Sequence, residues 1–120
     1  MDSRTKSLTK KEWLAIEEFK NAIFRKYPRR IKRIILFGSK VRGDSNPASD
    51  IDLLVVVTKN GKQVRREIAS LTHEPILRFK ALLSPITVEG KFFKEWSPLL
   101  DHIRKEGITI WINKKVKKNM

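Results

Sequence analysis

The chain has 120 residues, with 27 lysines and arginines against 13 aspartates and glutamates, which gives a formal net charge of +14. This length allows one hydrophobic core and one domain. The absence of cysteine excludes disulfides and thiolate metal sites and favours a cytoplasmic location, and no apolar run reaches the roughly 20 residues that cross a bilayer. The charge indicates a polyanionic partner such as nucleic acid, a nucleotide or an acidic protein surface, and the alternative is a solvated, lysine-rich surface.

The first half of the chain predicts one helix and two strands. Apolar residues at helical spacing indicate a helix from Leu8 to Tyr27, with Thr9 as its N-cap and Pro28 after its end. The segments Ile31–Phe37 and Ile51–Val57 are predicted strands. The second of them is apolar on both faces, which is typical of an internal strand in a sheet that is covered on both sides.

The second half continues this alternation. We predict a short helix from Gln63 to Leu71, a strand at Ile76–Val88 whose first half is also compatible with a helix, a helix at Phe92–Ile103 and a last strand at Ile108–Asn113. Pro85 is expected to interrupt or bend the third strand. We therefore expect residues 1–113 to form one α/β (α+β) domain with a single mixed sheet flanked by helices, and residues 114–120 to form a basic C-terminal tail.

The loop between the first two strands contains residues that suit a phosphate group. Gly38 directly follows a strand, and a glycine there lets the backbone turn sharply and come close to a ligand. The amides of such a turn, the Ser39 hydroxyl and the two-pronged guanidinium of Arg42 can together bind an anion. Taken singly, Ser39 and Arg42 are also compatible with ordinary polar positions in a loop.

Two aspartates stand at the start of the second strand. Asp50 and Asp52 are one residue apart, so on a strand their side chains point to the same face. Two carboxylates held together beside an apolar face repel each other, and their pKa values rise unless a cation lies between them. Mg²⁺ is the natural candidate, since it is bound by a few carboxylates together with water and substrate phosphates. This arrangement suits phosphoryl or nucleotidyl transfer.

Together these residues form the pattern glycine-serine, ten residues, then aspartate-any-aspartate, at Gly38, Ser39, Asp50 and Asp52. Over most of its length the chain resembles the minimal nucleotidyltransferases of the DNA polymerase β superfamily. The resemblance implies that Gly38, Ser39 and Arg42 bind a nucleoside triphosphate, with ATP as the expected one. It likewise implies that the two aspartates bind two Mg²⁺ ions. It also implies an antitoxin role, with a HEPN-type toxin as the partner that receives AMP on a hydroxyl group.

Active members of this family usually carry a third carboxylate on a neighbouring strand, where it helps to activate the attacking hydroxyl. The segment Ile76–Val88 contains no acidic residue, and Glu89 just after it is the candidate for this catalytic role. A glutamate there is also typical of the first turn of a helix. We predict a Mg²⁺-dependent nucleotidyltransferase. The alternative is a catalytically weak or inactive antitoxin that neutralises its partner by stoichiometric binding, and nucleic-acid binding is indicated by charge alone.

Overall fold

The computed structural model describes residues 8–43, 46, 49–59 and 61–114. Helices and strands follow one another in the order α1 (Lys10–Lys26), β1 (Ile31–Phe37), α2 (Ser39–Arg42), β2 (Ile51–Val57), α3 (Lys62–Ser70), α4 (His73–Phe79), β3 (Leu83–Glu89), α5 (Gly90–Phe93), α6 (Pro98–Glu106) and β4 (Ile108–Ile112). Among these helices, none is both long enough and apolar enough to cross a bilayer. Of the predicted basic tail, residues 115–120 lie outside the described residues.

The four strands form one mixed sheet in the order β3-β2-β1-β4. β1 runs antiparallel to β2 and to β4, whereas β3 runs parallel to β2. The predicted single mixed sheet is therefore confirmed. The prediction that Ile51–Val57 is an internal strand is also confirmed, because every residue of β2 except Asp52 is buried.

Helices cover both faces of this sheet. On one face, Phe19 of α1 and Ile68 of α3 belong to the same apolar cluster as Leu53 of β2. On the other face, Ile103 of α6 packs with Leu54 and with its neighbours in a smaller cluster. Because side chains alternate along a strand, Asp52 lies on the face of Leu54 and α6.

The first helix begins and ends as predicted. Thr9 Oγ1 accepts a hydrogen bond from the Glu12 amide at 3.1 Å, and Glu12 Oε1 accepts one from the Thr9 amide at 2.8 Å. This reciprocal capping box satisfies two backbone donors that a helix start otherwise leaves unpaired. Tyr27 is the C-cap, and Pro28 follows it.

The predicted strand at Ile76–Val88 is wrong in its first half. Residues His73–Phe79 form α4, as the helical alternative proposed, and Lys80 ends that helix with a positive φ of 54°. The strand itself begins at Leu83. Pro85 lies inside β3 and does not interrupt it, because β3 is at the edge of the sheet. The Ile51 amide donates to the Leu82 carbonyl, so the backbone polar groups of the even-numbered residues of β3 point toward β2. The nitrogen of Pro85 therefore points away from the sheet, where no neighbouring strand needs a donor.

The predicted helix at Phe92–Ile103 is two helices. α5 ends at Phe93, and α6 begins at Pro98 with Ser97 as its N-cap, whose Oγ accepts a hydrogen bond from the Leu100 amide at 3.0 Å. Proline has no amide hydrogen and disfavours a helical residue before it, so it starts a helix readily and cannot continue one. Trp96 falls in the break between the two helices and is 76% exposed.

Candidate functional site

The predicted phosphate-binding turn directly follows β1. The amides of Val41 and Arg42 donate to the Gly38 carbonyl at 3.0 and 3.1 Å, so the turn is the first turn of the short helix α2. Ser39 is the first residue of this helix and is half-buried. Asp52 pairs with Phe37, the last residue of β1, across the antiparallel ladder. The sheet therefore brings the turn and Asp52 together at one end of β1 and β2.

Gly38 and Asp52 are in direct contact. Gly38 has φ 84° and ψ −155°, a backbone conformation that is essentially restricted to glycine. A β-carbon at this position would lie 2.2 Å from Asp52 Oδ2, which is far inside van der Waals contact. Position 38 thus requires glycine for its backbone conformation and, independently, for the space that the carboxylate occupies.

The electrostatic environment of Asp52 matches the repulsion that the sequence predicts. Burial raises the pKa of the Asp52 carboxyl above its ordinary value, the charge of Asp50 raises it further, and Arg42 lowers it. Asp50 is exposed and immediately precedes β2. Two neighbouring carboxylates, of which that of Asp52 is partly desolvated, are stabilised by a cation.

The donor set fits a magnesium ion. Two carboxylates are the oxygen ligands that Mg²⁺ takes from proteins, and water and phosphates complete its shell. Among the residues that the structure describes, no group of three or more histidine, aspartate and glutamate side chains is placed to hold a metal. A complete cage made by this part of the chain alone is therefore not present, and the arrangement suits a metal that is shared with a bound phosphate.

Arg42 extends from α2 toward the end of α6. Its Nη1 lies 3.3 Å from Glu106 Oε1, and the same oxygen is 2.8 Å from His102 Nε2. The Arg42 side chain is 45% exposed, so its guanidinium remains accessible to a ligand. Glu106 was not identified from the sequence, because nothing local connects it to a residue 64 positions away.

A buried ion pair holds α2 in place, and sequence reasoning also missed it. Lys40 Nζ lies 2.7 Å from Glu12 Oε2, and it donates to the Asn46 carbonyl at 3.3 Å. Glu12 thus caps α1 with one oxygen and binds Lys40 with the other. The capping-box pattern was a signal for Glu12, but no pattern pointed to Lys40.

The structure does not bring Glu89 to the two aspartates. In the parallel register of β2 and β3, Asp52 pairs with Ser84, whereas Glu89 pairs with Val57 at the other end. Five residues along a parallel strand span about 17 Å, so a direct catalytic role for Glu89 does not fit this geometry. The residues of β3 that share the face of Asp52 are Ser84, Ile86 and Val88, and none of them is a carboxylate.

Comparison with known proteins gives concordant results. A family model described as a nucleotidyltransferase domain matches residues 16–118. A Methanocaldococcus jannaschii protein named "putative protein adenylyltransferase" is 62% identical over 86 residues, which covers 69% of this chain and 82% of that protein.

Two solved structures share the fold. A Sulfolobus solfataricus structure named "putative nucleotidyltransferase" has a TM-score of 0.60 at 20% identity and covers 96% of this chain and 92% of its own. A toxin-antitoxin complex with AMP-PNP has a TM-score of 0.56 at 20% identity, with 82% and 75% covered. At these identities the two structures show a shared fold and no more.

Proposed function

This chain belongs to the nucleotidyltransferase family, and we propose that it transfers AMP from ATP to a hydroxyl group on a partner protein, with Mg²⁺ as its cofactor. The observation that carries the proposal is the position of Asp52. Its carboxylate contacts Gly38 at the start of the phosphate-binding turn. The charge of Asp50 raises the pKa of this carboxyl, and the charge of Arg42 lowers it. A nucleoside triphosphate held by the turn would therefore have its phosphates beside the two aspartates.

We assign a role to each residue of the site. Asp50 and Asp52 would hold Mg²⁺, two ions in the full site, and bound magnesium would neutralise charge on the phosphates. The amides of the Gly38 turn and the Ser39 hydroxyl would bind the β- and γ-phosphates, and Arg42 would contact them with its planar donor set. These contacts would orient the α-phosphate for in-line attack by the acceptor hydroxyl, with pyrophosphate as the leaving group.

We propose ATP as the donor and a HEPN-type toxin as the partner. ATP is supported by the name of the 62% identical relative, a protein adenylyltransferase. A toxin partner is supported by the shared fold of the toxin-antitoxin complex with AMP-PNP. The described residues also form one sheet with its helices and no second lobe that could hold an acceptor, so the acceptor site would be completed by another protein.

One observation favours a second candidate function. The position on β3 that faces Asp52 is Ser84, and no carboxylate follows it on the same face of the strand. A site that has two carboxylates instead of three can bind nucleotide and still activate the attacking hydroxyl poorly. On this reading the chain acts as a catalytically weak antitoxin that neutralises its partner by stoichiometric binding.

The test is a calorimetric titration of ATP with Mg²⁺ into the wild type, the double variant Asp50→Asn/Asp52→Asn and Glu89→Gln. We expect Mg²⁺-dependent binding that the double variant loses and Glu89→Gln retains, since Glu89 lies far from the site. α-labelled ATP is then supplied together with a HEPN-type toxin, the proposed partner, and label is expected on that toxin. Absence of nucleotide binding by the wild type would contradict the enzyme function, and binding without label transfer would favour the stoichiometric antitoxin.

A further inference from the structure

The end of the sheet opposite Asp52 carries a group of cations and aromatic rings. We call it the basic-aromatic cluster. Its members are the cations and aromatic rings of β1, of the segment from α5 to α6 and of α6 itself. They are Lys32, Arg33, Lys91, Phe92, Phe93, Lys94, Trp96 and Arg104. Arg33 pairs with Val56, and Glu89, next to this cluster, pairs with Val57. These register positions are four and five residues from Asp52, or about 13 to 17 Å along the strand.

Two guanidinium groups are fixed on one ring. The Arg33 guanidinium carbon lies 5.2 Å from the centroid of the Phe93 ring, and that of Arg104 lies 5.8 Å from it. Arg104 also donates to the carbonyl of Phe93 and, at 3.3 Å, to that of Glu95. A ring and carbonyl groups carry no formal negative charge, so each guanidinium keeps its net charge of +1 and can still attract an anion.

The five cations of this cluster outnumber the two acidic residues of the segment 89–96, Glu89 and Glu95. Within the part of the chain that the structure describes, Lys32, Arg33, Lys94 and Arg104 have no carboxylate within 4.0 Å. Lys91 alone approaches one, with its Nζ 4.0 Å from Glu89. Burial lowers the pKa of Lys32, and the nearby charges of Arg33 and Lys94 lower it further. Cations that repel one another in this way are stabilised when an anion binds between them.

Exposed aromatic rings stand beside these cations. Trp96 is 76% exposed and Phe92 is 43% exposed, and Lys91 Nζ lies 5.0 Å from the centroid of the Phe92 ring. Large aromatic side chains are usually buried in a core, because their exposure to water is unfavourable. Flat rings that alternate with cations are the arrangement by which proteins bind single strands, with bases stacked on rings and phosphates on cations.

We propose that the basic-aromatic cluster binds single-stranded nucleic acid. Lys32, Arg33 and Lys94 contact phosphates, and Trp96 and Phe92 stack on bases. An acidic protein surface would satisfy the cations, but it supplies no flat bases for the exposed rings. This surface is separate from the proposed nucleotide site, since it lies at the other end of the same strands.

The test is fluorescence anisotropy with a labelled oligouridine of about 12 nucleotides, a length within the range that single-strand sites cover. The wild type is expected to bind it, and its affinity falls between about 50 and 200 mM salt with a log-log slope of roughly −2 to −3, as three or four phosphate contacts require. Lys94→Glu and Trp96→Ala are each expected to weaken binding about fivefold or more. The matched control is Lys62→Glu, which makes the same charge change at an exposed position of α3 on the other face of the sheet.

Several results would overturn this proposal. These are the absence of oligouridine binding at the lower salt, an equal loss in Lys94→Glu and Lys62→Glu, and binding that disappears in Asp50→Asn/Asp52→Asn. The first would leave this surface to a protein partner, the second would assign binding to diffuse charge, and the third would place the oligonucleotide in the nucleotide site. Retained oligouridine binding by the double aspartate variant supports the proposal even if ATP binding by the wild type fails.

Discussion

Glu12 and Lys40 form a buried ion pair, with 2.7 Å between Oε2 and Nζ. Through its other oxygen, Glu12 accepts a hydrogen bond from the Thr9 amide. The start of the first helix is thereby tied to α2, the short helix that carries Ser39 and Arg42. The pair therefore fixes the two proposed phosphate-binding side chains relative to the core.

Removal of one partner of this pair should be costly. We expect Lys40→Met to lower the free energy of unfolding by about 3 kcal/mol, because Glu12 is left as a buried, unpaired charge. The matched control is Lys20→Met, which breaks the 2.9 Å ion pair of Lys20 with the exposed Glu17 and should cost less than about 0.5 kcal/mol. Urea denaturation measures both. Equal losses in the two variants would show that the buried pair has no special weight.

Alanine substitutions at the two glycines that flank α2, Gly38 and Gly43, distinguish the cost of backbone strain from the cost of a steric clash. Both have φ 84°, but a β-carbon at Gly43 meets no atom within 4 Å, whereas one at Gly38 meets Asp52. Gly43→Ala is expected to lower the free energy of unfolding by about 1 kcal/mol, the cost of a left-handed alanine. Gly38→Ala should exceed this by about 2 kcal/mol, because its backbone region is more restricted and Asp52 must move. If urea denaturation gives equal losses, the contact with Asp52 does not constrain position 38.

Asp52 should make stability depend on pH. Its pKa is raised above the ordinary value of 3.8, so the folded protein binds this proton more tightly than the unfolded chain. The resulting stability is complete below the unfolded pKa and is lost as pH rises through the folded pKa. Asp52→Asn removes this loss. We therefore expect Asp52→Asn to have a higher Tm than the wild type at pH 7, by a difference that shrinks toward pH 4. We also expect its rate of AMP transfer to fall by about 100-fold or more.

Thermal unfolding of the wild type and Asp52→Asn between pH 4 and 8 measures this effect, and a transfer assay at pH 7 measures the loss of function. Both proteins are unfolded without Mg²⁺, so that metal binding to Asp52 does not add to the effect of its ionisation on Tm. A Tm difference that is independent of pH would contradict an ionisation at position 52, and a variant with full transfer would contradict its role in the site.

Ser84 offers a way to supply the missing third carboxylate. It pairs with Asp52 in the parallel register and shares its face, so Ser84→Asp would place three carboxylates at the end of the sheet. We expect Mg²⁺ affinity to rise by about threefold or more, because charge count tunes the affinity of carboxylate sites, and transfer to become faster. Ser84→Asn is the control of similar shape without charge. Calorimetry with Mg²⁺ and the transfer assay compare them, and identical behaviour of the two variants would sink the idea.

Local signals in the sequence were sufficient for most of the fold. β1 and β2 have the predicted bounds, because Gly38 and the β-branched run after Asp50 mark their ends. The N-cap of α1 was readable, since Thr9 and Glu12 act on each other three residues apart. The glycine turn and the aspartate pair could be placed at one site because they flank two strands that are consecutive in the chain.

The remaining features depend on partners that are distant in sequence. The register of β2 and β3 decides that Ser84 and not Glu89 faces Asp52, and no local pattern specifies a parallel register. The ion pair of Lys40 with Glu12 joins residues that only the folded chain brings together. Trp96 falls inside the predicted helix Phe92–Ile103, but Ser97 and Pro98 start a new helix and leave it outside the core.

Pro85 also limits how this protein can associate with other chains. Edge strands with a full row of free amides invite a second chain to add a strand, which is a route to domain swapping and aggregation. On β3 the outward nitrogen of Pro85 has no hydrogen to donate, so a strand added there would lose a hydrogen bond at the third residue of the seven-residue edge. At that edge, the sheet is protected against unwanted self-assembly by a single residue.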